Sequence, residues 1–345
     1  MWLVEHNCMR ATSVALSGAW LMERRGHRQC PGQYSWLHTM LADPVLEHSM
    51  KTAMADAIQA ATSPADGVRD WYDGKTFREA VAAGLIDTDT CVALSISMDG
   101  FEAWHQRGFQ GWPIVVTLLC IQPNQRVKNT AKIVLAVAPG PRQPVGLESF
   151  LHPIAEELDK LAQGTIGVKV AGRDTTSVLR AFVLQFRTDM PGGDKLLNAK
   201  GCGSIHPGRF RDFTGVRLMR RYCYPLVHPV KKKRRVFRVQ GPSAQERSAA
   251  SLAAAAEEVE ASRRAGSTKK AVNDLAVRSG IKGYSYLHAV SPEDKQRYPS
   301  LGYLWALGQA TFPCDTMHLL FFNVVPLLWG LFSGGHGVVG ESPEP

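Results

Sequence analysis

Apolar and polar positions change period several times along this chain. Leu37, Leu41, Val45 and the stretch Met50-Lys51-Thr52-Ala53-Met54-Ala55-Asp56-Ala57-Ile58 repeat at helical spacing, and Pro64 marks a stop. Residues 1–70 therefore read as a helical lead-in, loose before residue 36, where large aliphatics are few. From residue 91 the pattern becomes short, nearly continuous apolar runs of the kind buried strands carry, at 92–98, 113–121 and 132–137. Pro139-Gly140-Pro141 predicts a break, Ser149 a helix cap, and 153–161 a helix ended by Gly164. Weak strand signals follow at 166–171 and a stronger one at 178–186. Residues 190 to about 240 are rich in Gly, Arg and Pro and read as irregular. Residues 248–264 are Ala/Glu-rich, which predicts a solvated helix or a linker. A compact apolar pattern returns at Ile281 and runs to Phe332, and 333–345 read as a flexible tail. The division is then a lead-in at 1–70, a core at 71–332 with an insertion at about 190–280, and the tail, without internal repeats.

Composition narrows the class. Hydrophobic residues at 45% and charged residues at 21% suit a globular chain, and 345 residues supply ample core. The net charge of +9 favours a polyanionic partner, although much of the excess lies in the run Lys231-Lys232-Lys233-Arg234-Arg235. Seven cysteines, at 8, 30, 91, 120, 202, 223 and 314, show no paired spacing, which fits a reducing compartment rather than a disulfide framework. No apolar run approaches the roughly 20 residues of a membrane span. The most hydrophobic stretch, 317–332, is interrupted by Asn323 and Pro326, and no signal-peptide pattern opens the chain. A soluble intracellular protein without a membrane partner is expected.

Two acids carry the candidate chemistry. Asp99 and Asp189 are 90 residues apart, and each directly follows a strong strand signal. Hard divalent cations prefer oxygen ligands, and phosphodiester cleavage by two metal ions needs carboxylates that bridge them. An Asp in that place is also an ordinary turn former or helix cap.

The motifs around these acids occur in a particular order. Ser97-Met98-Asp99-Gly100-Phe101 is followed by Trp112-Pro113-Ile114, Pro139-Gly140-Pro141 and Ser149-Phe150-Leu151-His152-Pro153. Thr188-Asp189-Met190-Pro191 and Lys200-Gly201 come next, then Asp315-Thr316-Met317-His318, Asn323-Val324-Val325-Pro326 and Leu328-Trp329. The ordered set resembles the catalytic core of CACTA-type (En/Spm-like) DNA transposases of the fungal branch, from about Trp71 to Trp329. The resemblance implies an α/β fold with an RNase-H-like core, a mixed sheet with flanking helices, here incomplete, preceded by the helical lead-in and carrying an irregular basic insertion. Three strands, a helix and another strand is the opening order of that fold and is compatible with other α/β folds. The resemblance further implies Asp99 and Asp189 as catalytic acids binding Mg²⁺ or Mn²⁺. One ion would activate water or a 3′-hydroxyl, and the other would stabilise the leaving oxygen.

Asp315 and His318 match the family's Asp-x-x-His element, which implies support of the site or a DNA contact. A helix N-cap is the plain alternative for Asp315. The family's Cys-x-x-Cys pair falls here on Gly208 and Arg211, so its zinc site is lost. Cys202, His206, Cys223 and His228 have suitable side chains but no zinc-site spacing, and zinc is not expected. Arg209, Arg211 and Lys231, Lys232, Lys233, Arg234 and Arg235 are candidate DNA-phosphate contacts, and the basic run also fits a nuclear-import signal. The family's third acid, a downstream Glu, has no counterpart: beyond His318 only Glu341 and Glu344 remain, in a Gly/Pro stretch. The expectation is a nuclear, transposase-derived protein, inactive alone. Its partners would be double-stranded DNA, including transposon ends, and a second copy or an intact transposase. The alternative is a non-enzymatic DNA-binding or transposase-interacting remnant; an unrelated α/β protein is the third reading.

Overall fold

Two of the apolar runs lie side by side at the centre of a mixed sheet. The computed structural model describes residues 42–63, 67–87, 91–102, 110–128, 131–140, 147–164, 166–169, 176–207, 214–218, 221–223, 227–230, 236–239, 247–307, 311–313 and 325–332. Strand β1 (Cys91–Met98) pairs in parallel with a long later strand, Thr176–Thr188, and antiparallel with a third, Gln110–Leu118. Seven of the eight residues of β1, all but Ser97, are buried without alternation, because both faces of a central strand are covered. A two-residue strand, β2 (Phe101–Glu102), runs on beyond it. Gln110–Leu118 is β3, Lys132–Gly140 is β4, Ile166–Lys169 is β5 and Thr176–Thr188 is β6. The order across the sheet is β4-β3-β1-β6-β5, with β1 and β6 parallel and the other neighbours antiparallel.

Strands β1 and β2 pair with the same edge of β3 in one continuous register, Met98 opposite Ile114 and Phe101 opposite Gly111. Asp99 and Gly100 therefore fall opposite Pro113 and Trp112, at the point where the ladder is interrupted. Pro113 brings no N–H there. The predicted strand at 113–121 begins earlier and ends earlier, and Pro139-Gly140, expected to break the chain, instead completes β4 by pairing with Gly111 and Gln110. An edge strand tolerates proline, which explains the difference.

Helix α1 (Pro44–Thr62) is capped by the Asp43 side chain and buries Met50, Met54 and Ala57, the i, i+4, i+7 stripe of an amphipathic helix. It packs against β1 and against α2 (Lys75–Ala82). A short helical turn, α3 (Pro123–Arg126), holds Arg126 in a two-pronged ion pair with Asp70, at 2.7 and 2.6 Å. Helix α4 (Glu148–Gln163) forms the crossover to β6. It lays Phe150, Leu151, Ile154, Ala155, Leu158 and Leu161 into the core against β4 and β6 and ends in a left-handed Gly164. Its start lies at Glu148 without a side-chain cap, so Ser149 does not play the expected capping role. In β6 one extra residue opposes Leu94–Ser95 of β1. Beside that bulge the Val183 N–H donates to the buried Tyr303 hydroxyl at 2.9 Å.

The region expected to be irregular carries ordered elements. Helix α5 (Met190–Leu196) starts directly after β6, and the short strands β7 (Val216–Leu218), β8 (Arg221–Cys223), β9 (Val227–Val230) and β10 (Val236–Val239) form two hairpins. Helix α6 (Ala249–Arg264), capped by Ser248, is not merely solvated. Leu252, Ala256 and Val259 are buried, a stripe that the Ala/Glu content conceals. It pairs with α7 (Lys269–Ser279), capped by Thr268 and ended by a left-handed Gly280. Helices α8 (Pro292–Arg297), α9 (Gly302–Leu307) and α10 (Val325–Phe332) complete the described chain, and Trp329 and Phe332 of α10 are exposed. No helix among the described residues is long and apolar enough to cross a membrane.

Candidate functional site

Parallel pairing of β1 and β6 ends with Met98 opposite Thr188, and the next residues on the two strands are Asp99 and Asp189. Neighbouring strands are roughly 4.8 Å apart, so register alone brings the two acids to one edge of the sheet. Asp99 is exposed and accepts the Gly100 N–H on Oδ1 at 2.7 Å. Asp189 is half-buried and caps α5, with Oδ1 accepting the Gly192 N–H at 2.6 Å. The helix-cap alternative for Asp189 is thus realised. It commits one carboxylate oxygen and fixes the side chain at the strand end.

Two glycines make this edge possible. A Cβ on Gly192 would stand 2.7 Å from Asp189 Oδ1 and 3.1 Å from the Met98 carbonyl oxygen. Only glycine lets the first turn of α5 settle across the ends of both strands. A Cβ on Gly100 would lie 2.6 Å from the Trp112 indole, which is 4% exposed and closes this edge from β3.

Helix α5 then brings in Lys195, whose Nζ lies 3.2 Å from the centre of the Trp112 ring, a cation–π contact. Burial is the main influence on this ammonium and lowers its pKa to about 8, aided by Lys282, while Asp189 and Asp99 oppose the shift. The same lysine therefore senses both acids. Lys195 Nζ, Trp112 Nε1 and Thr188 Oγ1 are buried and have no hydrogen-bond partner among the described residues. Unpaired buried polar atoms are uncommon in folded proteins, and here three gather around one pair of carboxylates.

A divalent ion here would take its protein oxygens from Asp99 and from the Asp189 oxygen outside the cap, with water completing the shell. The donor set fits one such ion. No group of three or more His, Cys, Asp or Glu placed to hold a metal occurs among the described residues. Lys195 adds positive charge beside the pair, which opposes cation binding.

Sequence reading located Asp99 and Asp189 but gave no role to Lys195, and it quoted Trp112 only as part of a motif. A cap at Asp189 followed by a Pro at the helix start was the available signal for α5, and with it for Lys195 on the last turn. Asp315, His318, Arg209, Arg211 and Lys231 through Arg235 lie outside the described residues. Phe312 is buried and stacks on Phe186 of β6 with ring centres 4.8 Å apart. Of the four Cys and His positions considered for zinc, His206 is half-buried; Cys202, Cys223 and His228 have side chains that are not described. No family model matches this chain, and no curated protein matches it.

Proposed function

We propose that the chain is a transposase-derived protein whose incomplete RNase-H-like core once served metal-dependent DNA strand cleavage and transfer. The observation that carries this is the register of β1 and β6, which puts Asp99 and Asp189 on adjacent strand ends. The antiparallel run β1-β3-β4, the crossover through α4 and the parallel return beside β1 support the same reading, since that fold sets its metal-binding acids at these two ends.

In this reading Asp99 and Asp189 hold Mg²⁺ or Mn²⁺, which supplies, when bound, electrostatic stabilisation of a phosphate oxygen and a more acidic water. Gly192 and the α5 cap hold the Asp189 carboxylate in place, Gly100 and Trp112 close the edge, and Lys195 adds a fixed positive charge. Arg209, Arg211 and Lys231 through Arg235 serve as phosphate contacts on double-stranded DNA, and the last five also as a nuclear address. Among the described residues no third acid joins the pair, and two carboxylates leave a second ion unsupported, so in this reading the isolated chain is inactive in cleavage. A non-enzymatic DNA-binding role, alone or with an intact transposase, is favoured by one observation: among the described residues, the charged group found beside the pair is an ammonium, Lys195.

Calorimetric titration with Mn²⁺ tests the pair. Binding to the unaltered chain that is lost in both Asp99→Ala and Asp189→Asn is the expected result, together with no Mn²⁺-dependent nicking of duplex DNA. Mn²⁺ binding that both substitutions leave intact would remove the metal-site reading. Nicking that disappears in Asp99→Ala would overturn the inactive state.

A further inference from the structure

Lys195 has a second environment. It also lines a cavity of about 590 Å³, well within the range of small-molecule sites, whose walls come from the start of α4, the end of α5, the end of α6 and the start of α7. Four further cations line it: Lys200, Arg263, Lys269 and Lys282. Arg263 is paired with Glu260 and donates to the Lys282 carbonyl. Lys200 donates to Asn273 Oδ1 at 2.8 Å. Among the described residues none of the four lysines forms an ion pair. They instead act on one another: the Lys200 charge adds to burial in lowering Lys282, and the Lys282 charge adds to burial in lowering Lys195, with Asp194 the acid that opposes this at Lys282.

Among the described residues the single acid in the lining is Glu148, at the uncapped start of α4, where it accepts the Tyr286 backbone N–H. Burial pushes its carboxyl up to about 8, so at neutral pH it does not offset the surrounding charge. Asn198, Asn273 and Ser267 add uncharged hydrogen-bonding groups. Four lysines around one half-open cavity, none of them in an ion pair among the described residues, leave it with an excess of positive charge that an anion would offset. No aromatic side chain lines the space among the described residues. Strand-binding grooves commonly stack bases on aromatic rings, so this lining suits a ligand that is mostly phosphate.

We infer that this cavity is a binding site for a compact oligophosphate anion, whose oxygens accept hydrogen bonds from Lys195, Lys200, Lys269 and Lys282. Lysine ammonium groups bind phosphate as point charges with freely directed donors, and charge-assisted bonds of this kind are roughly twice as strong as neutral ones. The site stands independently of the strand-cleavage reading, because it uses neither Asp99 nor Asp189 as a ligand.

Calorimetry with inorganic tripolyphosphate on the full chain, at about 50 mM salt, tests it. Binding is expected for the unaltered protein and for Asp99→Ala, and affinity should fall about tenfold or more in each of Lys200→Gln and Lys269→Gln, in line with the loss of one charge-assisted bond. The exposed Lys128→Gln should bind as the unaltered chain does. Undetectable tripolyphosphate binding, or equal affinity in all three lysine variants, overturns the proposal. Hydrogen exchange on the unaltered chain decides the matter even where a variant fails to fold. Tripolyphosphate should protect 195–200 and 263–273 relative to sodium chloride of equal ionic strength, and protection confined to other segments overturns the assignment. A single-stranded oligonucleotide that displaces tripolyphosphate at equal phosphate concentration would identify the occupant as an extended strand and overturn the compact ligand.

Discussion

On one side of Lys195 two strands end in carboxylates, and on the other, helix ends and loops gather four more cations around a half-open cavity. The acidic side is built by the sheet. Its geometry follows from backbone pairing, so Asp99 and Asp189 cannot separate without breaking the β1–β6 ladder. The cationic side is built by helix caps, a hairpin of two helices and long flexible side chains. Its charges hold their places through local hydrogen bonds and repel one another. The difference teaches that a pair of strand-end acids is a rigid device, whereas the lysine cavity is an adjustable one that a bound anion would tighten. Four substitutions separate the two sides.

The largest effect belongs to pH on the cationic side. Glu148 titrates at 4.5 when unfolded and at about 8 in the fold, where burial is the main cause, Asp294 and Glu260 add to it and the Tyr286 N–H opposes it. Between those values the folded chain holds a proton that the unfolded chain has released. Its contribution is therefore complete below about 4.5 and declines as pH rises towards 8, by about 1.4 kcal/mol per pH unit. Urea unfolding across this window should show the slope in the unaltered chain and a flatter one in Glu148→Gln. Equal slopes would mean that Glu148 is ionised and that the cavity carries a counter-charge.

Next in size is the acidic side. Gly192→Ala forces a Cβ to within 2.7 Å of Asp189 Oδ1 and 3.1 Å of a backbone carbonyl. Overpacking of this kind costs about 1–3 kcal/mol, read as a lower urea midpoint, and Mn²⁺ binding should weaken with it. Gly203→Ala, whose Cβ would come no closer than 4.0 Å to Lys200 Cε, is the control and should change neither.

Lys195→Met acts on both sides with opposite signs. Removing a positive charge near the acids should raise Mn²⁺ affinity by on the order of tenfold, from Coulomb's law at the effective dielectric of a partly buried site. The same change should lower tripolyphosphate affinity by a similar factor. Calorimetry with the two ligands on one variant checks this, and shifts of the same sign would show that Lys195 does not divide the regions.

The smallest effect is Thr268→Ala, which removes the side-chain cap of α7. A lost cap costs about 1 kcal/mol. It should appear as faster hydrogen exchange at the start of α7, with β1 and β6 unaltered.

Much of the sheet was legible in the sequence. Strands β1 and β6 are long apolar runs, and a buried strand imposes that signature directly on its residues. The carboxylates were legible because each follows such a run. The helix ending at Gly164 was legible too, since a left-handed C-cap favours glycine. Less of the 190–280 region could be read. Its helices α5 and α7 are short, and the buried stripe of α6 at Leu252, Ala256 and Val259 is diluted by alanine and glutamate. Pro139-Gly140 read as a break because sequence does not reveal which strand lies at an edge.

By itself, then, the sequence determined the local periodicity: which segments extend, which coil, and which acids stand where a strand stops. Backbone sterics and hydrophobic burial act over a few residues, so those features are written where they occur. Tertiary structure alone decided that β6 returns beside β1, which makes neighbours of Asp99 and Asp189. It also decided that Trp112 covers Gly100 and supports Lys195, and that Lys200, Lys269 and Lys282, far apart along the chain, share one cavity with Glu148. Such groups act through space, by charge and contact, and no local pattern records which distant side chain will be there.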